Sequence, residues 1–101
     1  MKLDEKVALV TGAGTGVGAA TAVLLAKKGC RVAVNYRRSG EDAAKVVTSI
    51  EDAGGEAFNF QADVAMDNEA RALVEATFEK FGRLDLLVNN AGTTEFIPFD
   101  D

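Results

Sequence analysis

The residues best suited to chemistry begin at Thr11-Gly12-Ala13-Gly14-Thr15-Gly16-Val17-Gly18, where four of eight positions are glycine. Glycines let a backbone turn sharply and let a phosphate approach with no Cβ in its way. A short, mostly apolar run, Lys6 to Val10, precedes this loop, and a helical pattern follows from about Gly16. The free N–H groups and the positive dipole end of that helix face the loop, so a diphosphate is its natural guest. Glycine density alone would fit a tight strand-to-helix turn equally well; the strand before and the helix after favour a nucleotide. No Gly-Lys-Ser/Thr follows, so the loop is not a P-loop. Gly14-x-Gly16-x-x-Ala19 satisfies a relaxed dinucleotide fingerprint, while Gly12-x-Gly14-x-Gly16 is what an S-adenosylmethionine site would use.

These two guests separate at the end of the second strand, where either ordinarily requires an acid for the ribose hydroxyls. Here the stretch is Asn35-Tyr36-Arg37-Arg38-Ser39, with no carboxylate. An acid would repel a 2′-phosphate, whereas an arginine can hold one through paired charged hydrogen bonds. Tyr36 or an arginine could also stack on adenine. The stretch therefore favours NADP(H) over NAD(H) and disfavours S-adenosylmethionine; the plain alternative is that Arg37 and Arg38 form a solvated turn. Two later segments are weaker taken singly. Asp63-Val64 could accept from an adenine amino group and donate to a ring nitrogen, or simply cap a turn. Asn89-Asn90-Ala91-Gly92 could let a ribose lie on the backbone, or be a turn of ordinary turn residues.

The elements that must position these residues alternate. Val17, Ala20, Thr21, Leu24 and Leu25 share one helical face, and Lys27, Lys28 and Gly29 close that helix. Arg31–Tyr36 reads as a strand, Glu41–Ala53 as a helix with Ala43, Val47 and Ile50 on one side, and Glu56–Phe60 as a strand. Asp67 can N-cap a third helix with a face of Ala70, Leu73, Val74, Thr77, Phe78 and Phe81, ended by Gly82; Leu84–Val88 is a fourth strand. The order β-α-β-α-β-α-β implies an α/β fold with a parallel sheet and right-handed crossovers. Parallel sheets bind ligands at the carboxyl ends of their strands. The loops that matter are therefore 11–18, 36–40, 61–66 and 89–95.

Composition narrows the classes further. The chain has 101 residues, 48% of them hydrophobic, with 11 basic and 16 acidic side chains and a net charge of −5. One domain is the expectation, and the acidic balance argues against nucleic acid or an anionic membrane as partner. No apolar run reaches the roughly 20 residues that span a bilayer, and no signal-peptide pattern opens the chain, so a cytoplasmic location is expected. Without histidine, and with Cys30 the one cysteine, a structural zinc site and Ser-His or Cys-His catalysis are both excluded. Cys30 is expected to be a small buried apolar residue.

Taken together, Thr11-Gly12-x-x-x-Gly16-x-Gly18, Asp63 and Asn89-Asn90-Ala91-Gly92 resemble the short-chain dehydrogenase/reductase family from about Lys6 to Gly92, with its ketoacyl-carrier-protein reductase and glucose dehydrogenase-like members most similar around Asn35–Ser39. The resemblance implies a Rossmann-type three-layer fold, here the N-terminal half of a doubly wound sheet spanning 1–101. It implies a nicotinamide cofactor, NADP(H) preferred and NAD(H) the alternative. Gly12, Thr15, Gly16 and Val17 would line the diphosphate and adenosine ribose, and Arg37 lies where NADP-preferring members bind the 2′-phosphate; Thr11, Gly18, Tyr36 and Arg38 would be further cofactor-binding residues. Asp63 and Val64 would hold adenine, and Asn90, Ala91 and Gly92 the cofactor ribose. Some NADP-binding members carry a basic residue at the position of Thr15, which weakens the expectation of strict selectivity.

Members are generally more than twice this long, and their catalytic Ser and Tyr-x-x-x-Lys lie beyond the fourth strand. The one tyrosine here, Tyr36, is followed four residues later by Gly40. No catalytic residue is therefore expected within the chain. The implied function is the cofactor-binding part of an oxidoreductase acting on a carbonyl or alcohol, homo-oligomeric at full length. A complete, non-catalytic nucleotide-binding or interaction module is the alternative, and an S-adenosylmethionine domain a weaker one. In the family-type strand order the fourth strand's outer edge would lie unpaired here. The isolated chain is accordingly expected to be marginally stable or to self-associate. Phe96-Ile97-Pro98-Phe99 is expected to lead into a second half and to pack in a core.

Overall fold

The computed structural model describes residues 3–90, together with the backbone of 95–98. The observed elements are β1 (Val7–Val10), α1 (Gly16–Lys27), β2 (Arg31–Tyr36), α2 (Gly40–Asp52), β3 (Ala57–Gln61), α3 (Asp67–Phe81), β4 (Leu86–Asn89) and β5 (Glu95–Pro98). The strands form one sheet in the order β3-β2-β1-β4-β5. The first four are parallel, as the alternation requires, and β5 is antiparallel to β4.

β1 and β2 are apolar because both faces of the sheet are covered. Ala8, Val10, Val32 and Val34 point into a core shared with Ala22 and Leu25 of α1 and Ala43, Val46 and Ile50 of α2. Val7, Leu9 and Ala33 point the other way, onto Leu73 and Phe81 of α3. The result is three layers, with two helices on one face and one on the other. Val7, Leu9, Val10, Val32 and Val34 are all at most 1% exposed, each worth roughly 1.5–3 kcal/mol of burial. Phe58 meets Phe81 edge-on with ring centroids 5.4 Å apart.

Register brings the strand ends level. Val10 pairs with both Val34 and Val88, and Tyr36 with Gln61. The loops after β1, β2, β3 and β4 therefore leave from the same edge of the sheet, which places all the residues of chemical interest together.

Several expectations need correction. α1 does not bury Val17, Ala20, Thr21 and Leu24. Its buried residues are Gly18, Ala22 and Leu25, and Val17 and Leu24 are 67% and 53% exposed. The reason is that α1 is apolar on nearly every side, with Lys27 its one charged residue, so periodicity could not choose a face. Asp67 is the first residue of α3 and not its cap. Met66 holds the cap position without a side-chain bond, and Asp67 pairs instead with Arg71 at 3.2 Å. Phe78 on α3 is also exposed. The outer edge of β4 is not open: β5 pairs with it, Val88 opposite Phe96. Phe99 lies outside the described residues.

The glycine stops did form as expected. Gly29, Gly54 and Gly82 follow the helices with φ of 104°, 91° and 79°, values that side chains resist. Cys30 is buried at 2% exposure, as expected. Among the described residues no helix is long and apolar enough to cross a membrane, and no group of three or more His, Cys, Asp or Glu is placed to hold a metal ion.

Candidate nucleotide-binding site

The loop after β1 is held from both neighbouring strands. Thr11, 4% exposed, donates its hydroxyl to Asn89 Oδ1 at 3.0 Å and accepts the Asn90 N–H at 2.9 Å. Asn90 Nδ2 donates to the Gly12 carbonyl at 3.2 Å, and the Gly12 N–H donates to Asn35 Oδ1 at 3.2 Å. Gly12 thus has its carbonyl bound from the β4 side and its N–H from the β2 side. Its φ of 59° is in the region that favours glycine. Gly18, on the first turn of α1, packs directly against this peptide. A Cβ there would overlap the Gly12 carbonyl oxygen and come within 2.6 Å of Asn90 Nδ2. Thr11, Gly12, Gly18 and Asn90 are therefore framework, setting where the loop lies.

Thr15, Gly16 and Val17 are on the outside of the loop, all exposed. Gly16 has φ of 59° and open space where a Cβ would point. At the first turn of α1, backbone N–H groups lack helical acceptors and a partial positive charge accumulates. This suits an anion.

Beside the loop lies a notch of about 230 Å³ lined by Gly14, Thr15, Tyr36, Arg37, Arg38 and Ser39 as well as Gly12. Gly14 makes it narrow, since a Cβ there would sit 3.2 Å from that of Ser39. Ser39 occupies the cap position of α2 without a side-chain cap bond, leaving its hydroxyl for another partner. Sequence reasoning did not single out Ser39; its cue was a hydroxyl residue immediately before a helix. Arg37 and Arg38, with no carboxylate in the notch lining, give it positive charge.

A larger cavity, about 630 Å³, opens on the other side of Gly12 between the sheet and α3. Thr11, Asn35, Arg37, Asp63 and Val64 are on its polar side, and Leu9, Leu73, Val74 and Leu87 on its apolar side. Asp63 is set by a small turn: its Oδ1 accepts the Ala65 N–H at 3.0 Å, and its own N–H donates to Glu69 Oε1 at 2.9 Å. Its other oxygen faces Arg37 Nε at 3.6 Å, with the arginine side chain 61% exposed. So Arg37 borders both spaces. Asn35, buried at 2%, is the other residue that sequence reasoning missed. Its cue was an amide directly after the apolar run Val32-Ala33-Val34 of a buried strand. Of the expected site residues, Ala91 and Gly92 lie outside the described residues; the rest gather at this one edge of the sheet.

Residues 6–101 match the family model for short chain dehydrogenase. A short-chain dehydrogenase/reductase homolog of Bacillus subtilis (strain 168) is 48% identical over 101 residues, covering 100% of this chain and 93% of that protein. A 3-oxoacyl-[acyl-carrier-protein] reductase of Synechocystis sp. is 51% identical over 92 residues, covering 91% of this chain but 37% of that protein. An uncharacterized oxidoreductase of Methylorubrum extorquens is 53% identical over 99% of this chain, which spans 40% of its length. In structure, a short chain dehydrogenase from Burkholderia cenocepacia J2315 in complex with NADP superposes with a TM-score of 0.87 at 47% identity, over 92% of this chain and 38% of that one. With the sheet order, the glycine loop and the strand-end asparagines all in place, the chain belongs to the short-chain dehydrogenase family, whose members are oxidoreductases that bind NAD(P).

Proposed function

We propose that residues 1–101 form the dinucleotide-binding segment of an NADP(H)-preferring short-chain oxidoreductase. The observation that carries the preference is the notch beside the glycine loop, where Arg37, Arg38 and Ser39 converge with no carboxylate among its lining. A 2′-phosphate there gains charge-assisted hydrogen bonds, and a ribose hydroxyl alone gains few. The contact between Arg37 and Asp63 is long and exposed, hence weak, and leaves the guanidinium able to turn to a phosphate. The complex of the Burkholderia cenocepacia relative with NADP supports this reading.

In this account the free N–H groups around Thr15, Gly16, Val17 and Gly18 receive the diphosphate, on a loop fixed by Thr11, Gly12 and Asn90. Tyr36 lies against the adenine side of the notch. Asp63 and Val64 take the adenine edge, while Ala91 and Gly92 meet the cofactor ribose. When bound, the cofactor supplies hydride at the nicotinamide C4 to a carbonyl carbon, or takes it from an alcohol carbon. No Tyr-x-x-x-Lys occurs in the sequence. This segment by itself therefore binds without turnover, and the small carbonyl or alcohol substrate, cytoplasmic location and homo-oligomeric state belong to the full-length enzyme. An S-adenosylmethionine guest has no support in an oxidoreductase family.

One observation favours a second reading, a nucleotide-binding module with no chemistry of its own: the Bacillus subtilis homolog is matched over 93% of its length, so a protein of nearly this size occurs in the family. Both readings require cofactor binding, and thermal unfolding tests it. A ligand at ten times its Kd adds about 1.4 kcal/mol of stability, several degrees of Tm for a chain of this size. 2′,5′-ADP should raise Tm by that much and 5′-ADP by clearly less. Equal shifts would remove the case for the arginine notch.

A further inference from the structure

One buried side chain ties the glycine loop to two other strand ends. Asn35, near the end of β2, is 2% exposed. Its Oδ1 accepts the Gly12 N–H at 3.2 Å, and its own carbonyl accepts the Ala13 N–H at 2.7 Å. Its Nδ2 donates to the carbonyls of Phe60 at 3.2 Å and Ala62 at 3.1 Å. Only an amide offers an acceptor and two donors from one planar group of this size; a carboxylate could accept from Gly12 but could donate to neither carbonyl. Two consecutive loop N–H groups are thereby bound by β2. The bonds to Phe60 and Ala62 fix the chain immediately before Asp63 and Val64.

We propose that Asn35 is a positioning residue that sets the spacing between the phosphate cradle of the glycine loop and the adenine shelf at Asp63 and Val64. A ligand that spans both depends on this spacing; a ligand that touches the shelf and the arginine notch alone does not. The proposal rests on the dinucleotide reading above.

The test uses Asn35→Ala and the isosteric Asn35→Asp, read by amide hydrogen exchange and by calorimetry. In the ligand-free chain, Asn35→Ala should speed exchange of the Gly12 amide by about tenfold or more, as the loss of one hydrogen bond implies, with the Val10 amide unchanged. Asn35→Asp keeps the Gly12 acceptor and should leave that amide protected. Both variants should weaken NADPH by about tenfold while 2′-AMP, which carries no diphosphate for the first turn of α1, changes less than twofold. Equal weakening of NADPH and 2′-AMP, or an unchanged Gly12 amide in Asn35→Ala, overturns the proposal. Should Asn35→Ala not fold, Asn35→Asp decides alone: a protected Gly12 with weakened NADPH supports the spacing role, and lost protection or unchanged NADPH contradicts it. A wild-type chain that binds neither ligand sinks the dinucleotide reading itself, and the spacing role with it.

Discussion

On the proposed reading, cofactor discrimination turns on Arg37, which borders both the notch and the cavity above α3. Replacing it with alanine removes a charge-assisted pair and should raise the Kd for NADPH by about tenfold and that for NADH by less than twofold, measured by quenching of reduced-cofactor fluorescence. Two other residues make predictions away from the site. Burial pushes the Cys30 thiol up, and the nearby Asp85 charge adds to this, so in the native chain it should react with a thiol reagent far more slowly than after denaturation. Burial alone would also push the Asp85 carboxyl up. Two bonds from Arg83 at 2.8 and 2.7 Å, the Val7 N–H at 2.8 Å and the charges of Arg83 and Lys6 outweigh it and hold Asp85 below the usual carboxylate range. A lowered folded-state value means that this stability is present above about pH 4, the unfolded value, and is lost as pH falls through the folded one. Asp85→Asn should flatten the loss of stability below about pH 4 in denaturant titrations at stepped pH; an unchanged acid slope would contradict the assignment.

At the scale of elements, the sequence was legible wherever a pattern had one solution. The alternation of strands and helices, the glycine stops and β2 from Arg31 to Tyr36 could be read directly, since each rests on local backbone chemistry. The face of α1 could not, because a helix apolar on nearly every side has no preferred stripe; the decision is made by Gly18, which lets the first turn close against Gly12 and Asn90. Asn35 was hidden for a related reason. An amide inside a strand announces a hydrogen-bond network without naming the loop it holds. Gly18 then carries a sharp prediction. Gly18→Ala forces a methyl into the Gly12 peptide and should cost about 1–3 kcal/mol by overpacking, read from urea midpoints. Leu24→Gln on the exposed face of the same helix should change stability by less than about 0.5 kcal/mol. Equal costs would mean that the faces of α1 are misassigned.

For the whole molecule, the pairing of β5 with β4 changes where the weak point lies. The sheet ends at β3 on one side and at β5 on the other, and an uncovered strand edge invites further pairing. Val17 and Leu24 on α1 and Phe78 on α3 add exposed apolar surface on either face. The free chain should therefore associate with concentration in sedimentation velocity or melt over a broad range; a monomer with a sharp, cooperative melt would contradict this. Cofactor preference is decided by calorimetric titration of the 101-residue chain with NADPH and NADH side by side. Both should bind saturably, NADPH tighter by about tenfold, the effect of one charge-assisted phosphate contact. NADH binding as tightly as NADPH, or no binding of either, would contradict it.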